Sequence, residues 1–391
     1  MTVSELSAFI QTKEAQEFIR ENRDKDPLQL ILQSARIPWK KELASQIAWR
    51  QKLARKLPEW TSHPTVLFPG GVSTEQSSSE ATARLKASLI QGRELLDITG
   101  GMGVDTFYLS EGFKSATYVE QQEDLAHITA HNFRQLGKTQ LEVQQGDGLD
   151  FLKVSSADVV YADPARRDED NRKMVSLDSY EPNLIPHLHL LTLNQRVTFI
   201  KTSPMLDISQ ACSQLKSVAE VWVISYRNEC KEVIYKLQGG AEIPLIKTYN
   251  ILTDGSISNF NFEMGSSASA EFTDKLSTYL FEPNASILKA GGADALAQHF
   301  KVAKLHPNSN LLTHSEPLPD FPGKTFTIKQ EFKPYDPSLR KGRFNIISRN
   351  YPDNAEKIGK SLKIKPSGNQ YLIATQTLSG RYVFIIAEWV H

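Results

Sequence analysis

The sequence predicts an α/β protein: a doubly wound, seven-stranded sheet, preceded by a helical region and followed by a C-terminal α+β module. Two observations predict the sheet. Between residues 94 and 201, five short β-rich runs alternate with helix-like segments, which is typical of a parallel sheet covered by helices on both faces. Two further runs, 220–226 and 232–237, flank a three-residue turn and predict an antiparallel hairpin that closes the sheet.

Length and composition exclude several classes of protein. The chain has 391 residues, of which 40% are hydrophobic and 23% charged, as in globular proteins of about two or three domains. Two cysteines supply neither a disulfide framework nor a zinc site by themselves, which indicates a reducing compartment. No apolar run is long enough to span a membrane, and the polar start Met1–Glu5 lacks the features of a signal peptide. We therefore expect a soluble cytoplasmic protein.

The charges of the chain are balanced but segregated, with 45 basic and 45 acidic residues in total. Residues 36–56 contain seven basic residues and one acidic residue, a net charge of +6. Residues 323–391 contain twelve basic and five acidic residues, a net charge of +7. Such clusters are either solvated helix faces and strand edges or surfaces for a polyanion, so overall neutrality does not exclude a nucleic-acid partner.

The first 72 residues are predicted to form a helical region. Apolar residues recur at helical spacing, as in Leu6, Phe9 and Ile10, and Asp26-Pro27 supplies an N-cap followed by a proline at the first helical position. The stretch 58–79 is rich in proline, glycine and serine, and it is interpreted as a connection into the next domain.

The second predicted domain, residues 73–238, contains the sheet. Its five parallel strands are predicted at 94–98, 115–120, 141–145, 157–161 and 197–201, with a helix at 124–136 between the second and third.

The remaining chain is divided into residues 239–322 and 323–391. A polar, weakly periodic stretch fills 239–270, and a helix is predicted at 292–300. A second hairpin is predicted from the runs 370–374 and 382–386, which flank the turn 377–380.

The run 95–106 carries the strongest chemical signal. A strand ends in Asp97, a glycine-rich turn with Gly101 and Gly103 follows, and a helix then begins, so backbone amides can closely approach a ligand. A dinucleotide loop requires a third glycine where this chain has Thr106, which disfavours NAD. A purely structural turn stays an alternative, because glycines also make tight turns.

Acidic residues follow two further strands. Glu120 ends the second strand, 17 residues after Gly103, and Asp147 follows the third. Each could be a helix N-cap, yet acids at the ends of successive parallel strands all face the crevice in which such folds bind ligands.

A tetrapeptide follows the fourth strand. The chain there reads Asp163-Pro164-Ala165-Arg166, with Arg167 next. It resembles the Asp/Asn-Pro-Pro-aromatic motif of methyltransferases that act on nucleic-acid nitrogens, and departs from it at Ala165 and Arg166. An arginine side chain can stack on a base in place of an aromatic ring and can also bind phosphate.

Together these motifs resemble the class I S-adenosylmethionine-dependent methyltransferases, with Thr99 replacing the first glycine of their loop. The resemblance implies a Rossmann-like sheet and assigns cofactor binding to Asp97, Thr99, Gly101, Gly103, Glu120 and Asp147. It implies catalytic positioning by Asp163, Pro164 and Arg166, and substrate binding by Arg166, Arg167 and Lys201. No metal is implied.

The whole assembly resembles a bacterial methyltransferase family that ends in a THUMP-like domain. The resemblance also rests on the serine-rich segment 75–86 and on the late segment Leu305-His306-Pro307-Asn308-Ser309. It implies a ferredoxin-like region at 239–322, a THUMP-like module at 323–391 and an RNA substrate methylated on a base nitrogen. The basic N-terminal helices and the basic C-terminal module would then bind the RNA.

Three alternatives concern the cysteines, the histidines and the substrate. A D-P-A-R tetrapeptide also occurs in carbon-5 uridine methyltransferases, but neither Cys212 nor Cys230 lies just after the fifth strand, where those enzymes need a nucleophile. His127 and His131 have the spacing of a helical metal pair but lack a third ligand, so packing or surface roles are expected. An RNA-binding protein with an inactive methyltransferase domain, or a methyltransferase for a protein or small molecule, stays open.

Overall fold

The computed structural model describes residues 2–32, 39–166, 176–266 and 268–390. The chain forms two compact units. The first unit consists of Met1–Glu220 and Val233–Glu242, and the second unit consists of Val221–Glu232 and Ile243–His391.

The helices of the first unit begin in an N-terminal bundle and continue between the strands. They are α1 (Val3–Phe9), α2 (Lys13–Asn22), α3 (Pro27–Leu32), α4 (Lys40–Leu53), α5 (Pro58–Ser62), α6 (Gly71–Gln76), α7 (Glu80–Leu89), α8 (Val104–Leu109), α9 (Glu123–Gln135), α10 (Gly148–Val154), α11 (Leu188–Leu191) and α12 (Ile208–Leu215). The segment 58–79, expected to be only a connection, therefore contains the two short helices α5 and α6.

Side-chain caps determine where several of these helices begin. The hydroxyl of Thr2 caps α1 in a capping box with Glu5, and Ser79 accepts a hydrogen bond from the Thr82 amide at the start of α7. Asp26, which precedes Pro27, accepts a hydrogen bond from the Leu28 amide and caps α3, as the sequence predicts. The apolar faces of α1 to α4 share a core that includes Ile10, Ile19, Leu30, Leu43, Ile47 and, on α9, Ile128.

The sheet of the first unit follows the predicted order. Its strands are β1 (Glu94–Asp97), β2 (Ser115–Glu120), β3 (Leu141–Gln145), β4 (Val159–Ala162) and β7 (Val197–Thr202), all parallel, in the order β7-β4-β1-β2-β3. Two short strands, β5 (Ala165–Arg166) and β6 (Tyr180–Glu181), pair separately as a small antiparallel ribbon. The strand order reverses between β1 and β4, so a crevice opens there at the carboxyl ends of the strands.

The predicted hairpin is confirmed. Its strands are β8 (Val218–Tyr226) and β9 (Glu229–Leu237), and residues 233–237 of β9 pair antiparallel with β7. Arg227 and Asn228 form the turn, both with positive φ, as a two-residue hairpin turn requires. The seven strands β3, β2, β1, β4, β7, β9 and β8 stand in the predicted doubly wound order. Beyond β8 the same sheet continues with β10 (Leu245–Ile251) and β11 (Ile257–Glu263), so that it has nine strands among the described residues.

The second unit contains ten further strands and three helices. They are β10 (Leu245–Ile251), β11 (Ile257–Glu263), β12 (Glu271–Phe272), β13 (Tyr279–Pro283), α13 (Ala285–Lys289), α14 (Ala293–Phe300), β14 (Ala303–Lys304), β15 (Leu312–His314), β16 (Gly323–Phe332), β17 (Asn345–Ser348), α15 (Ala355–Leu362), β18 (Gln370–Gln376) and β19 (Tyr382–Trp389). Eight of these strands form a separate sheet in the order β12-β14-β15-β13-β16-β19-β18-β17. Strands β18 and β19 are the predicted second hairpin.

Residues 239–270, which are polar and only weakly periodic in sequence, contain the antiparallel pair β10 and β11, for which the sequence analysis predicts no strands. Along β11 the exposed and half-buried side chains alternate, and Phe260 and Phe262 lie on the half-buried side. The period of two is visible in the sequence, but the Ser, Gly and Asn content of the stretch hides it. Across the described ranges, no helix has both the length and the apolar character needed to cross a membrane.

Candidate active site at the carboxyl ends of the parallel strands

The glycine loop connects β1 to α8. Gly100, Gly101 and Gly103 have φ values of +38°, +70° and +78°, a region that side chains other than glycine rarely adopt. A Cβ on Gly103 would lie 2.7 Å from atoms of Thr129 and Phe133, whereas one on Gly101 would meet no atom closer than 4.0 Å. The loop is thus packed tightly against α9 at Gly103 and open at Gly101.

Asp97 ends β1 beneath this loop and is only 2% exposed. Its Oδ1 accepts hydrogen bonds from the amide of Thr99 at 3.0 Å and from its hydroxyl at 3.1 Å, and its Oδ2 accepts from the hydroxyl of Thr106. Burial raises the pKa of Asp97 to about 7, although these hydrogen bonds oppose the rise. Asp97 therefore fixes the shape of the loop from below.

Glu120, at the end of β2, holds the loop from the side. Its Oε2 accepts a 2.8 Å hydrogen bond from the Gly101 amide, and its Oε1 accepts one of 2.8 Å from the Gln122 amide. The hydroxyl of Tyr118 donates to the Gly101 carbonyl oxygen. Each carboxylate oxygen keeps a second lone pair for a further donor.

Asp147 follows β3 and caps α10. Its Oδ1 accepts a 2.9 Å hydrogen bond from the Leu149 amide, and the residue is exposed. A Cβ on the next residue, Gly148, would lie 2.0 Å from the carbonyl oxygen of Ile98, so the first residue of α10 packs closely against the backbone just after β1. The N-cap role considered for this acid is therefore present.

Asp163 follows β4 and joins the fourth-strand motif to the glycine loop. Its amide donates a 2.7 Å hydrogen bond to Oγ1 of Thr99. Its carboxylate Oδ2 lies 2.6 Å from the ammonium nitrogen of Lys201, and the Asp163 side chain is 41% exposed. Among the predicted site residues of the first unit, Asp97, Thr99, Asp163 and Lys201 thus form one connected group.

The residues after Asp163 leave the sheet in the short ribbon. Pro164 is buried, and Arg166 pairs with Tyr180 across β5 and β6. The exposed guanidinium of Arg166 lies 4.0 Å from the sulfur of Met205. Arg167, predicted to contact substrate, lies outside the described residues.

A buried charged cluster lies next to Asp163 and was not predicted from the sequence. We call it the Asp105 cluster; its members are Asp105, Lys86, Lys201, Ser78 and Tyr161. Asp105 Oδ1 lies 2.8 Å from Nζ of Lys86, and its Oδ2 accepts from Ser78 and Tyr161 at 2.8 Å each and from Lys201 at 3.1 Å. The Lys86 side chain is fully buried. These residues are up to 123 positions apart in the chain, so no local sequence motif predicts that they form a cluster.

The two cysteines have no features of nucleophiles. Cys212 and Cys230 are half-buried, and burial raises the pKa of their thiols to about 12 and about 11. A thiol with such a pKa is almost entirely protonated near neutral pH. His131 is buried, with Nε2 2.8 Å from the carbonyl oxygen of Thr65, and His127 is exposed. Within the described ranges, no group of three or more His, Cys, Asp or Glu residues is arranged to hold a metal ion.

The two basic segments differ in how accessible their charges are. In the N-terminal segment, Arg50 is buried and donates to backbone carbonyl oxygens, including that of Val66, and Lys52 is paired with Glu75. Arg36 lies outside the described residues. Fewer N-terminal charges are therefore available to a partner than the sequence count of +6 suggests.

In the second unit, five basic side chains are exposed on two adjacent segments. The amide of Lys341 donates to the Leu362 carbonyl oxygen, and that of Lys365 to the Gly342 carbonyl oxygen, so the two segments run side by side. We call this the basic ridge; its members are Arg340, Lys341, Arg343, Lys363 and Lys365.

Comparisons with protein-family models and solved structures agree with this architecture. Residues 279–322 match a ferredoxin-like domain, and residues 326–388 match a THUMP-like domain. The chain is similar to the solved “putative methyltransferase from Porphyromonas gingivalis W83”, with 27% sequence identity, 100% coverage of both chains and a TM-score of 0.87.

Two further solved structures are much less similar. A predicted O-methyltransferase from Agrobacterium tumefaciens shares 12% identity over 44% of this chain and 86% of its own, with a TM-score of 0.32. TrmK of M. capricolum, solved in complex with S-adenosyl-homocysteine, shares 14% sequence identity over 41% of this chain and 68% of its own, with a TM-score of 0.30. At these TM-scores no function is transferred. No curated protein matches the chain.

Proposed function

We propose that this chain, which combines a methyltransferase fold with a C-terminal THUMP-like domain, transfers a methyl group from S-adenosylmethionine to a base nitrogen of RNA. The observation that carries the proposal is the position of Asp163. Its half-exposed carboxylate lies at the carboxyl edge of the sheet, and its amide is bonded to the glycine loop. The site where a target amine would be held is therefore adjacent to the loop where the cofactor would bind.

The residues of the crevice fit S-adenosylmethionine. The open position at Gly101 leaves room for a ligand against the loop backbone, where any side chain would intrude. Glu120, with free lone pairs on both oxygens, would accept the ribose hydroxyls, and the exposed Asp147 would accept the adenine amino group. Asp97, Thr99 and Gly103 would act by keeping the loop in shape, since Asp97 is buried beneath the loop and Gly103 is a buried residue of it.

The chemistry divides between cofactor and protein. When bound, S-adenosylmethionine supplies an electrophilic methyl group; a carbon–nitrogen bond forms as the carbon–sulfur bond breaks, S-adenosylhomocysteine leaves, and the nitrogen releases one proton to water. Asp163 would accept a hydrogen bond from the target amine and direct its lone pair at that methyl group, so that catalysis comes mainly from positioning. Pro164 would fix the direction of the chain there, and Arg166 would stack on the base or bind a neighbouring phosphate.

The choice of RNA rests on the second unit. The basic ridge presents five exposed cations on two adjacent segments, within the residues that match a THUMP-like domain. Cations so arranged suit the phosphates of a nucleic acid better than a small neutral substrate. Lys40 and Lys41 of the N-terminal segment, and Arg167, would add contacts.

Nucleoside analysis tests the proposal. Ribosomal and transfer RNA from cells with and without the gene would be digested and compared by mass spectrometry. We expect one methylated nucleoside to be missing without the gene, and the purified protein with labelled S-adenosylmethionine to restore it on that RNA. If no nucleoside differs and calorimetry detects no binding of S-adenosylhomocysteine, the domain is an inactive one on an RNA-binding protein. Label in protein or small molecules instead of RNA would also overturn the proposal.

A further inference from the structure

Lys201 has the contacts of a buried structural ammonium rather than of a substrate-binding side chain. Its side chain is only 8% exposed, whereas the Asp163 side chain that it contacts is 41% exposed. Of this ion pair, the carboxylate therefore faces the crevice and the ammonium lies behind it.

The hydrogen-bonding capacity of Lys201 is already used. An ammonium group has three N–H donors. Nζ of Lys201 lies 2.6 Å from Asp163 Oδ2, 3.1 Å from Asp105 Oδ2 and 2.8 Å from Ser78 Oγ. These three acceptors match the three donors, so none is left for a substrate phosphate or base.

The Asp105 cluster fixes Lys201 in turn. Asp105 is held between the ammonium groups of Lys86 and Lys201, and the hydroxyl of Tyr161 donates to it. Lys86, Asp105, Lys201 and Asp163 together carry two positive and two negative charges. A chain of alternating charges in a buried site resists the movement of any one member, because displacement leaves its neighbours unpaired.

We propose that Lys201 is a positioning residue: held by the other members of the Asp105 cluster, it binds one oxygen of Asp163 and leaves the other to receive the hydrogen-bond donor of the substrate nitrogen. This inference rests on the proposed function for the identity of the substrate group. It replaces the expectation that Lys201 itself binds substrate.

The charges around Asp163 support this role. Burial raises the pKa of Asp163, and the attraction of Lys201 opposes that rise. Asp105 on α8 raises it further, Lys86 on α7 lowers it, and Tyr180 and Arg166 lie on the neighbouring ribbon. Lys201 contacts Asp163 directly, so we expect its removal to raise the pKa of Asp163.

The first experiment compares Lys201→Met with Lys236→Met, which breaks a partly buried ion pair with Glu220 at 2.9 Å away from the crevice. For Lys201→Met we expect kcat on RNA to fall at least tenfold, KM and the affinity for S-adenosylhomocysteine to stay within threefold, and the acid limb of the kcat profile to move to higher pH. Lys236→Met should change none of these. Unchanged kcat and pH profile in Lys201→Met would overturn the inference.

A second measurement needs no substrate. In protein labelled with ¹³C at aspartate carboxyl carbons, the Asp163 resonance is identified by its loss in Asp163→Asn, and its titration midpoint is expected to be higher in Lys201→Met than in wild type. Equal midpoints would overturn the role of Lys201 whatever the activity. A shifted titration midpoint in a protein that methylates no RNA would overturn the proposed function but leave the positioning role of Lys201 in place. Should Lys201→Met not fold, Lys201→Gln, which removes the charge but keeps a hydrogen-bond donor for Asp105, takes its place in both measurements.

Discussion

The amide of Asp163 donates a 2.7 Å hydrogen bond to the hydroxyl of Thr99, which itself donates to Asp97. Thr99 stands where the resembling methyltransferases have a glycine, so the departure from their pattern supplies a link that glycine lacks. This one hydroxyl joins the loop after β1 to the motif after β4.

Removing the hydroxyl should destabilise the first unit. Thr99→Val keeps the shape of the side chain but leaves the Asp163 amide without its acceptor, and we expect the free energy of unfolding to fall by about 1–3 kcal/mol. Urea denaturation measures the change. Thr99→Ser keeps the hydroxyl and is the matched control. Equal losses in both variants would show that the methyl group, not the hydrogen bond, matters.

Two glycines of the loop should respond differently to the same substitution. Gly101→Ala and Gly103→Ala both place alanine at positive φ, at a cost of about 1–2 kcal/mol each. Gly103→Ala also drives its Cβ against Phe133, which adds about 1–3 kcal/mol of overpacking. Gly101→Ala should instead weaken binding of S-adenosylhomocysteine, as calorimetry would detect. Equal unfolding energies for the two variants would contradict the packing difference.

The buried carboxyl of Asp97 should make stability depend on pH. Its pKa in the folded protein is about 7, above the ordinary 3.8, so its stabilising contribution is complete below pH 4 and is lost as pH rises through 7. A tenfold change in proton affinity corresponds to about 1.4 kcal/mol, so the whole contribution is on the order of 4 kcal/mol. Asp97→Asn cannot titrate, so its stability relative to wild type should increase from pH 5 to pH 8. Urea denaturation at several pH values would show a constant difference if the pKa of Asp97 is ordinary.

Asp163→Ala should separate catalysis from cofactor binding. We expect methyl transfer to be abolished while the affinity for S-adenosylhomocysteine stays within a few fold, because Asp163 would hold the substrate nitrogen. Asp147→Ala should do the reverse, weakening the cofactor product with less effect on the turnover of bound substrate. Full activity of Asp163→Ala would remove this residue from the mechanism.

The basic ridge should dominate the salt dependence of RNA binding. Replacing Arg340 and Lys341 by alanine removes two exposed charges, and the slope of log affinity against log salt should become shallower by about 0.7 per lost contact with single-stranded RNA. Lys357 and Lys360 are the matched control, because each is paired with an acid four residues earlier in the chain, Asp353 and Glu356 respectively. Equal effects of the two double variants would show that the ridge has no special role.

Seven strands of the main sheet could be predicted from the sequence because each has a local signal, whereas β10 and β11 were missed. Strands β2 and β3 are predicted residue for residue, since β-rich runs end at a recognisable acid or turn. Tertiary contacts decide the rest. Whether Glu120 binds a ligand or the loop depends on the Gly101 amide, which lies 19 positions away along the chain.

The Asp105 cluster could not be predicted for the same reason. In sequence, Asp105 is one acid at the start of a helix, and Lys86 is one cation near the end of another. Only the folded sheet brings both to Lys201 on β7. A buried lysine leaves no signal in charge counts, which treat it as a solvated residue.

The balance of charge in this group also constrains how the protein can diverge. Loss of Lys86 or Lys201 alone removes one of the two cations that the buried Asp105 contacts, and loss of Asp105 alone leaves two ammonium groups without the carboxylate between them. Related proteins should therefore change these positions in oppositely charged pairs or not at all. We therefore expect residues 86, 105, 163 and 201 to covary among related proteins, because residues in one network of ion pairs are energetically coupled.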